Sequence, residues 1–400
     1  MVKCLLELFI HFPFSTIPVN AQCPMGKLCE GCDVVPGKIF EMECSLAERP
    51  INQRFIIRLK PQAWLSIICD TNANWDYFYL GQEQQLDFTE SIFIKLCQLP
   101  RNGSLGSIVR QIVKADIRDL DYQSYKNLTT NFNKNTFNDL ESLQKLVLSH
   151  NNLVNVAVDL FSNVIALKHL DMSQNRLEDL PVGLFDLPHL VYLDLSYNKL
   201  RIIKSGLFRT LIHLTTLRLA SNNLKELGST VFKVLKSLKT LDLIDNDLRV
   251  LTKDVFGGLT GLNAVDLSKN QFSTEGISPH LFSNNEVLEK VILTHNKRHL
   301  YSLPHGILAG LQYLVAVNFS GNGLVIVSED LFADSINLQN ISLAKNKLSR
   351  IPHKLLYNLE AARIIELSDN EISDMSVKTF HLLSKVEILD LSQNRLQEFN

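Results

Sequence analysis

Cysteine is confined to the first quarter of this 400-residue chain, since none follows Cys97. Net charge is nearly absent as well, because 40 lysine and arginine residues oppose 42 aspartate and glutamate residues. The composition therefore lacks the basic excess typical of proteins that bind nucleic acid or an anionic membrane surface, and we expect neither partner. The hydrophobic content of 46% indicates an ordered chain.

Catalytic signatures are also missing. The sequence contains no H-E-x-x-H, no G-x-S-x-G, no P-loop and no G-x-G-x-x-G after a strand, and its histidines are scattered. We therefore predict that the chain is not an enzyme, and we expect no cofactor and no metal.

Long apolar runs are absent after the beginning of the chain. Met1-Val-Lys3, an apolar stretch from Cys4 to Val19 and the small-residue site Val19-Asn-Ala21 together predict a signal peptide at residues 1–21. No later run of 18 apolar residues exists, so we expect no transmembrane helix and no membrane contact in the chain as given.

The dominant feature of the sequence is a repeat. Residues 143–153 read L-x-x-L-x-L-x-x-N-x-L, and this template returns almost to the end of the chain. The template asparagines follow one another at intervals of 23, 24 or 26 residues: Asn151, Asn175, Asn198, Asn222, Asn246, Asn270, Asn296, Asn322, Asn346, Asn370 and Asn394. This period and consensus are the signature of a leucine-rich repeat solenoid. We predict an α/β horseshoe with a parallel concave sheet, an irregular or short helical convex side and a disulfide-capped N-terminus.

Alternation within one repeat separates core residues from surface residues. Leu146 and Leu148 should face the core, while Lys145 and Val147 face the opposite side. The asparagine should satisfy backbone groups where the strand ends and the chain turns. Each return segment carries an apolar position, which is occupied by Phe137, Phe161, Phe185, Phe208, Phe232, Phe256, Phe282, Leu308, Phe332, Leu356 and Phe380. One repeat cannot bury enough apolar surface to fold alone, so the repeats must stack.

Residues 22–116 are predicted to form a cysteine-rich cap that covers the first repeat. Short strands are expected at residues 38–44, 55–59 and 92–97, and a degenerate repeat follows in which Tyr125 replaces the asparagine. Six cysteines remain after the signal peptide, and they can pair in fifteen ways: Cys23, Cys29, Cys32, Cys44, Cys69 and Cys97. A zinc or redox role for Cys29-Glu-Gly-Cys32 is the weaker alternative, because no second C-x-x-C or histidine pair accompanies it.

Residues 117–400 are predicted to form the repeat array, of about 12 repeats. No closing cysteines follow the last template before Asn400. We therefore expect that the array is incomplete at its C-terminal end and that the chain is a fragment of a longer protein.

The solvent-facing positions of the array suit recognition of a protein ligand. Candidate ligand-binding residues are basic or aromatic, as in binding hot spots, apart from one valine, and comprise Lys145, His150, Lys168, His169, Val191, Tyr192, Tyr197 and Arg218. Isolated surface aromatics without a partner are the alternative for each of them. The recurrent aspartates Asp171, Asp194, Asp242, Asp266 and Asp390 are interpreted as ordinary consensus rather than as a cation site.

Four N-x-S/T sequons predict glycosylation at Asn102, Asn127, Asn318 and Asn340. Asn318 and Asn340 should face outward from the concave sheet. Glycans on both would direct a protein ligand toward the earlier repeats or a flank.

The cap carries a more specific resemblance than the repeats do. Leu28-Cys-Glu-Gly-Cys32, Phe40-Glu-Met-Glu-Cys44, Arg58-Leu-Lys-Pro-Gln62, Ile67-Ile-Cys69 and Leu96-Cys-Gln-Leu-Pro100 together resemble the N-terminal cap of insect Toll receptors. The resemblance runs from about Cys23 to the end of the chain and covers only the N-terminal part of a Toll ectodomain.

The resemblance implies the extracellular ligand-binding region of a Toll-type receptor of innate immunity or development. Such a receptor binds a Spätzle-like cystine-knot cytokine at the cap and early repeats, pairs on ligand binding and signals through a cytoplasmic TIR domain. By analogy with such caps, it also implies the disulfides Cys23–Cys32, Cys29–Cys44 and Cys69–Cys97. These 400 residues contain no second cysteine module, transmembrane segment or TIR domain, so signalling is not expected of them alone. The alternative is a secreted leucine-rich repeat protein of humoral immunity or matrix binding that does not signal.

Overall fold

The computed structural model describes residues 29–35, 39–46, 53–60, 63–69, 90–100, 103–124, 132–296 and 300–397. Within these ranges the strands are β1 (Cys29–Val35), β2 (Ile39–Leu46), β3 (Gln53–Lys60), β4 (Trp64–Cys69), β5 (Ser91–Lys95), β6 (Asp119–Gln123), β7 (Lys145–Val147), β8 (His169–Asp171), β9 (Tyr192–Asp194), β10 (Thr216–Arg218), β11 (Thr240–Asp242), β12 (Ala264–Asp266), β13 (Lys290–Ile292), β14 (Ala316–Asn318), β15 (Asn340–Ser342), β16 (Ile364–Glu366) and β17 (Ile388–Asp390). The helices in the same ranges are α1 (Leu105–Ile112) and two 3₁₀ helices, Thr274–Gly276 and Val377–Phe380.

The chain forms two compact units, which are described separately. The first unit holds the residues up to Leu177 together with Gly183–Leu190, and the second holds Glu178–Val182 and the residues from Val191 onward.

The first unit begins with an antiparallel sheet and continues as a parallel one. β1 to β4 pair antiparallel in chain order, and β4 to β8 then pair parallel in chain order. Parallel pairing therefore begins at β4, inside the range predicted as the cap. It begins there because Leu65 of β4 and Ile92 of β5 are buried in register with Leu120 of β6, as leucines of full repeats are.

A disulfide links two strands near the N-terminal end of the described chain. Cys69, at the end of β4, forms a disulfide with Cys97, which follows β5, as predicted. The backbone register of β1 and β2 places Cys29 opposite Cys44. Cys23 lies outside the described residues, so the pairing predicted for it is not tested.

The second unit is a parallel ladder in which β9 to β17 pair in chain order. Each strand is three residues long, with its middle residue turned inward, and only the last of these, Leu389, is exposed. The register holds even where the asparagine spacing grows from 24 to 26 residues, because the 3₁₀ helix Thr274–Gly276 accommodates extra residues outside the strands. The predicted leucine-rich repeat fold, parallel and poor in helix, is confirmed.

The core is built from leucines and from stacked phenylalanines. In the first unit the rings of Phe137, Phe161 and Phe185 stack with centroids 6.1 and 6.5 Å apart. In the second unit the four rings from Phe208 to Phe282 stack at 5.9–6.4 Å. All of these rings are buried, as the return-segment position predicts.

Buried asparagines fix the turns. Asn222 accepts a hydrogen bond from the Leu200 N–H of the preceding repeat, and its amide donates to the Leu195 carbonyl of that repeat and to the Leu219 and Ala220 carbonyls of its own. Similar bonds recur at Asn175, Asn246, Asn270, Asn346, Asn370 and Asn394. The predicted role of the template asparagine is thus confirmed, and at these positions it joins a repeat to the one before it.

Candidate ligand-binding surface

Each template asparagine is preceded by a residue with a positive φ angle. His150 (φ 61°) and Tyr197 (φ 56°) occupy this position, as does Gly321 in a later repeat. The left-handed backbone turns the chain away from the strand, and both His150 and Tyr197 are exposed, with 61% exposure at Tyr197. These two candidate residues therefore project from the turn that follows the strand, rather than from the strand itself.

In the first unit the structure brings together Lys145, His150, Lys168 and His169. Lys145 and His169 are direct partners in β7 and β8, and Lys168 immediately precedes β8. Lys145, Lys168 and His150 are exposed, and His169 is half-buried. All four thus lie on two neighbouring repeats, on the solvent face of the sheet (the side opposite the leucine core) or at its margin.

A partly shielded carboxylate lies among these cations. Burial raises the pKa of Asp121, and nearby Asp171 adds to this effect, whereas Lys95, Lys145 and His150 oppose it. The solvent face of the sheet here therefore combines the half-buried carboxylate of Asp121 with basic side chains around it. Such a surface can bind a ligand through ion pairs and hydrogen bonds.

In the second unit the structure brings together Val191, Tyr192, Tyr197 and Arg218. The Tyr192 hydroxyl donates to Oδ2 of Asp194 at 3.1 Å, and a guanidinium nitrogen of Arg218 lies 3.8 Å from the same oxygen. Asp194 is only 7% exposed, so it holds the tyrosine and the arginine in place from below. Val191 is 38% exposed. The result is an apolar and aromatic surface beside an oriented cation, which is the composition of a binding hot spot.

The recurrent aspartates have a structural role. Oδ1 of each accepts the backbone N–H two residues later, at 2.8 Å from Ser173, 2.9 Å from Ser196, 3.1 Å from Ile244, 2.9 Å from Ser268 and 3.0 Å from Ser392. Asn318 makes the same bond to Ser320 at 3.0 Å. This turn bond explains why a short polar acceptor recurs there, as the consensus interpretation requires. Within the described ranges no group of three metal-ligating side chains could hold an ion.

One of these aspartates is electrostatically unfavourable in its ionised form. Burial raises the pKa of Asp242, the Ile244 N–H bond lowers it, and Asp266 raises it further by repulsion. Arg218, its direct partner in β10, offsets part of the effect. Asp242 therefore contributes to the fold through its bond with the Ile244 N–H rather than through its charge.

Two of the four sequons fall on described residues, both in the second unit. Asn340 is exposed at the start of β15, and Asn318 is half-buried at the end of β14. Both line a shallow depression of about 300 Å³ on the solvent face, where Ala316 and Ser342 leave room between larger side chains. The predicted outward orientation is confirmed. Asn102 and Asn127 lie outside the described residues.

The stacked geometry agrees with the comparisons to known proteins. A leucine rich repeat family model matches residues 141–200, 165–211, 212–272 and 336–396. The chain therefore has the leucine-rich repeat fold. This fold is one that generally binds rather than catalyses.

Among solved structures, the chain is similar to Toll in the Toll–Spätzle complex of Drosophila, with a TM-score of 0.76 and 25% identity over 92% of this chain and 51% of that one. Protein toll of Drosophila melanogaster is 28% identical over 134 residues, which are 34% of this chain and 12% of that protein. Tsukushi of Xenopus tropicalis is 45% identical over 67 residues, which are 17% of this chain and 19% of that protein. The chain thus spans about half of the Toll chain in the solved complex and less than a fifth of these two curated relatives.

The similarity to the Toll ectodomain implies an extracellular or secretory location. None of the helices in the described part of the chain is both long and apolar enough to cross a membrane.

Two features of the structure were not predicted from the sequence. One is the left-handed residue before each asparagine, which the glycine at Gly321 and the polar residues elsewhere in that position could have indicated. The other is that Cys97 occupies the asparagine position of its own repeat, since Leu96 before it has φ 57° and Ile94 aligns with Tyr122. The irregular spacing there concealed the match.

Proposed function

We propose that the chain is the ligand-binding region of a Toll-type receptor and that it binds a Spätzle-like cystine-knot cytokine at the cap and early repeats. The observation that carries the proposal is the similarity over 92% of the chain to Toll, whose solved structure is a complex with Spätzle. Binding would assist the pairing of two receptor chains at the cell surface. The alternative, a secreted leucine-rich repeat protein without signalling, predicts no affinity for such a cytokine.

The early repeats supply suitable contacts. Lys145 and His150 provide positive charge near the shielded Asp121, and Tyr197 provides a large exposed ring. Tyrosine gives extensive contact area at low entropic cost, because its side chain has only two torsions. Ion pairs at the rim would speed association and orient the ligand.

Surface plasmon resonance with a proteolytically processed Spätzle-type cytokine tests the proposal. The variants are Lys145→Ala with His150→Asn in the first unit and Tyr197→Asn in the second, because asparagine tolerates the left-handed backbone at positions 150 and 197. We expect each variant to weaken binding at least tenfold. The matched control is Lys290→Ala, which removes an exposed lysine from the first strand position of a later repeat.

The outcomes separate two claims. No binding of the wild-type chain at micromolar cytokine would refute the receptor function. Binding that both site variants retain, or that the control loses equally, would instead place the ligand elsewhere on the chain.

We further propose glycosylation of Asn102, Asn127, Asn318 and Asn340, cleavage after residue 21 and the disulfides Cys23–Cys32 and Cys29–Cys44. The strand register supports the second disulfide, because it sets Cys29 and Cys44 opposite each other. Peptide mapping of the unreduced secreted protein, before and after enzymatic deglycosylation, tests each feature. A mature N-terminus at Met1, unmodified sequon peptides or free thiols would contradict the corresponding assignment.

A further inference from the structure

Four exposed cations cluster on two consecutive repeats of the second unit. Arg209 belongs to the first of these repeats, and Lys233, Lys236 and Lys239 belong to the second. We call these four residues the lysine patch. The segments 209–215 and 233–239 contain no aspartate or glutamate. The patch is therefore a local excess of positive charge in a chain whose net charge is only −2.

The stacking of the repeats brings these cations together. Arg209 and Lys233 directly follow Phe208 and Phe232, whose rings stack with centroids 6.2 Å apart. Lys239 lies at the other end of its segment, where its N–H bonds to the Thr215 carbonyl at 2.8 Å. The patch thus spans two stacked return segments and reaches from the phenylalanine stack to the start of β11.

Glycines leave one side of the patch uncovered. The next repeat carries Gly257, Gly258 and Gly261 at the positions beside it. A Cβ atom at Gly258 would lie 2.6 Å from the Lys233 Cα, and one at Gly261 would lie 2.6 Å from the Lys236 carbonyl oxygen. The two repeats therefore stack backbone against backbone, and the glycines place no side chain over the lysines.

The cations of the patch also lack acidic partners. Among the described residues, no carboxylate lies within ion-pair distance of Arg209, Lys233, Lys236 or Lys239. Other cations of this unit do have such partners, including Arg201 with Glu178, Lys204 with Asp179 and Lys354 with Glu329. What sets the lysine patch apart is that four such unpaired cations lie close together on two consecutive repeats.

We propose that the lysine patch binds a sulfated polysaccharide of the extracellular matrix or cell surface. Lysine presents a compact point charge without the planar fork that arginine uses for bidentate carboxylate recognition, so three lysines suit a densely charged polyanion better than one docked carboxylate. Clusters of basic residues are known to form heparin and nucleic-acid sites. Segments 209–215 and 233–239 contain no phenylalanine, tyrosine or tryptophan on which single-stranded bases would stack, which favours the polysaccharide.

The site goes beyond cytokine binding and does not depend on it. None of its four residues belongs to the proposed cytokine contacts, so loss of the polysaccharide site should leave cytokine affinity unchanged. Failure of one proposal is therefore distinguishable from failure of the other.

Heparin binding to the secreted chain, measured by isothermal titration calorimetry at several salt concentrations, tests the inference. The variant is Lys233→Gln with Lys236→Gln and Lys239→Gln. The control, Lys253→Gln with Lys347→Gln and Lys385→Gln, removes the same charge from three exposed lysines outside the patch. Equal urea midpoints for all three proteins establish that folding is intact.

We expect the patch variant to bind heparin at least tenfold more weakly and the control less than threefold more weakly. The patch variant makes fewer contacts with the polyanion, so its binding releases fewer counterions. The slope of log affinity against log salt should therefore become shallower by roughly two to three units in this variant. Equal affinity of the wild type and the patch variant would overturn the inference. Equal affinity of the wild type for heparin, single-stranded RNA and polyglutamate at one salt concentration would overturn the assignment to a sulfated polysaccharide.

Discussion

Truncation of one buried asparagine should weaken a defined pair of repeats. Asn222 is only 6% exposed, and all four of its side-chain hydrogen bonds reach backbone atoms. Its Oδ1 accepts from the Leu200 N–H at 3.0 Å, and its Nδ2 donates to the carbonyls of Leu195, Leu219 and Ala220 at 3.0, 3.1 and 3.3 Å. Asn222→Ala removes all four bonds at once.

The loss of stability should be smaller than four broken hydrogen bonds would suggest, because only one of the four backbone partners is left without a hydrogen bond. Each of the three carbonyl oxygens keeps a second donor after the truncation: Asn198 Nδ2 for Leu195, Asn246 Nδ2 for Leu219 and the Tyr197 N–H for Ala220. The Leu200 N–H alone loses its acceptor. A buried donor left unsatisfied costs about 1–3 kcal/mol, so we expect the free energy of unfolding to fall by that amount.

Urea unfolding measures the total cost, and amide hydrogen exchange locates it. The Leu200 amide should lose protection in Asn222→Ala, because the bond that protects it is gone. The control is Asn223→Ala, whose exposed side chain is adjacent in sequence, and we expect its effect to stay within about 0.5 kcal/mol.

Asn222→Asp sharpens the test. Aspartate keeps an acceptor for the Leu200 N–H but turns a second oxygen toward three carbonyls. We therefore expect it to destabilise more than alanine at neutral pH, where the buried charge is unpaired, and less so in acid. An Asn222→Ala protein with unchanged stability and a protected Leu200 amide would refute this account of the asparagine ladder.

Three further changes probe other contacts. Asp242→Asn should raise the urea midpoint at pH 7 but not at pH 3: burial raises the Asp242 pKa above 3.8, so stability is lost as the pH rises past that value. An equal effect at both pH values would contradict this cause. Gly258→Ala should cost about 1–3 kcal/mol by overpacking, whereas Gly228→Ala, with no atom within 4 Å, should be neutral or slightly stabilising. Calorimetry that ranks the two glycines in the opposite order would be inconsistent with the packing. Cys69→Ala with Cys97→Ala opens a crosslink of 28 residues and should cost roughly 3.5 kcal/mol, visible as a lower melting temperature; an unchanged melting curve would show that the cap does not need it.

The regular part of the fold was predictable because it repeats. Leu146 and Leu148 alternate with polar residues, and such alternation fixes which side of a strand is buried. The recurring asparagine then set the register of every later strand, and the phenylalanine position located the return segments. The same leucine, asparagine and phenylalanine positions recur in many repeats, so a local irregularity does not obscure the pattern.

The cap and the surface were less accessible to sequence analysis. Parallel pairing starts at β4, inside the range predicted as the cap, and the sequence conceals this because Cys97 stands where an asparagine would have marked the repeat. The role of Asp194 beneath Tyr192 and Arg218 depends on neighbouring strands lying in register, which no short motif encodes. The lysine patch likewise emerges only from stacking, since Arg209 and Lys233 are 24 residues apart in the chain.

The longer repeat between Asn270 and Asn296 has a practical consequence for protein engineering. Its additional residues form a short 3₁₀ turn, Thr274–Gly276, while the strands on either side, β12 and β13, keep the pairing seen elsewhere. This turn is nevertheless anchored, because Gly276 is buried and its carbonyl accepts the Leu251 N–H of the preceding repeat at 2.7 Å. An epitope tag or fluorophore-binding peptide placed after the exposed Glu275 would have to leave the Gly276 contacts intact, because even a Cβ atom at Gly276 would lie 2.2 Å from the Arg249 carbonyl oxygen.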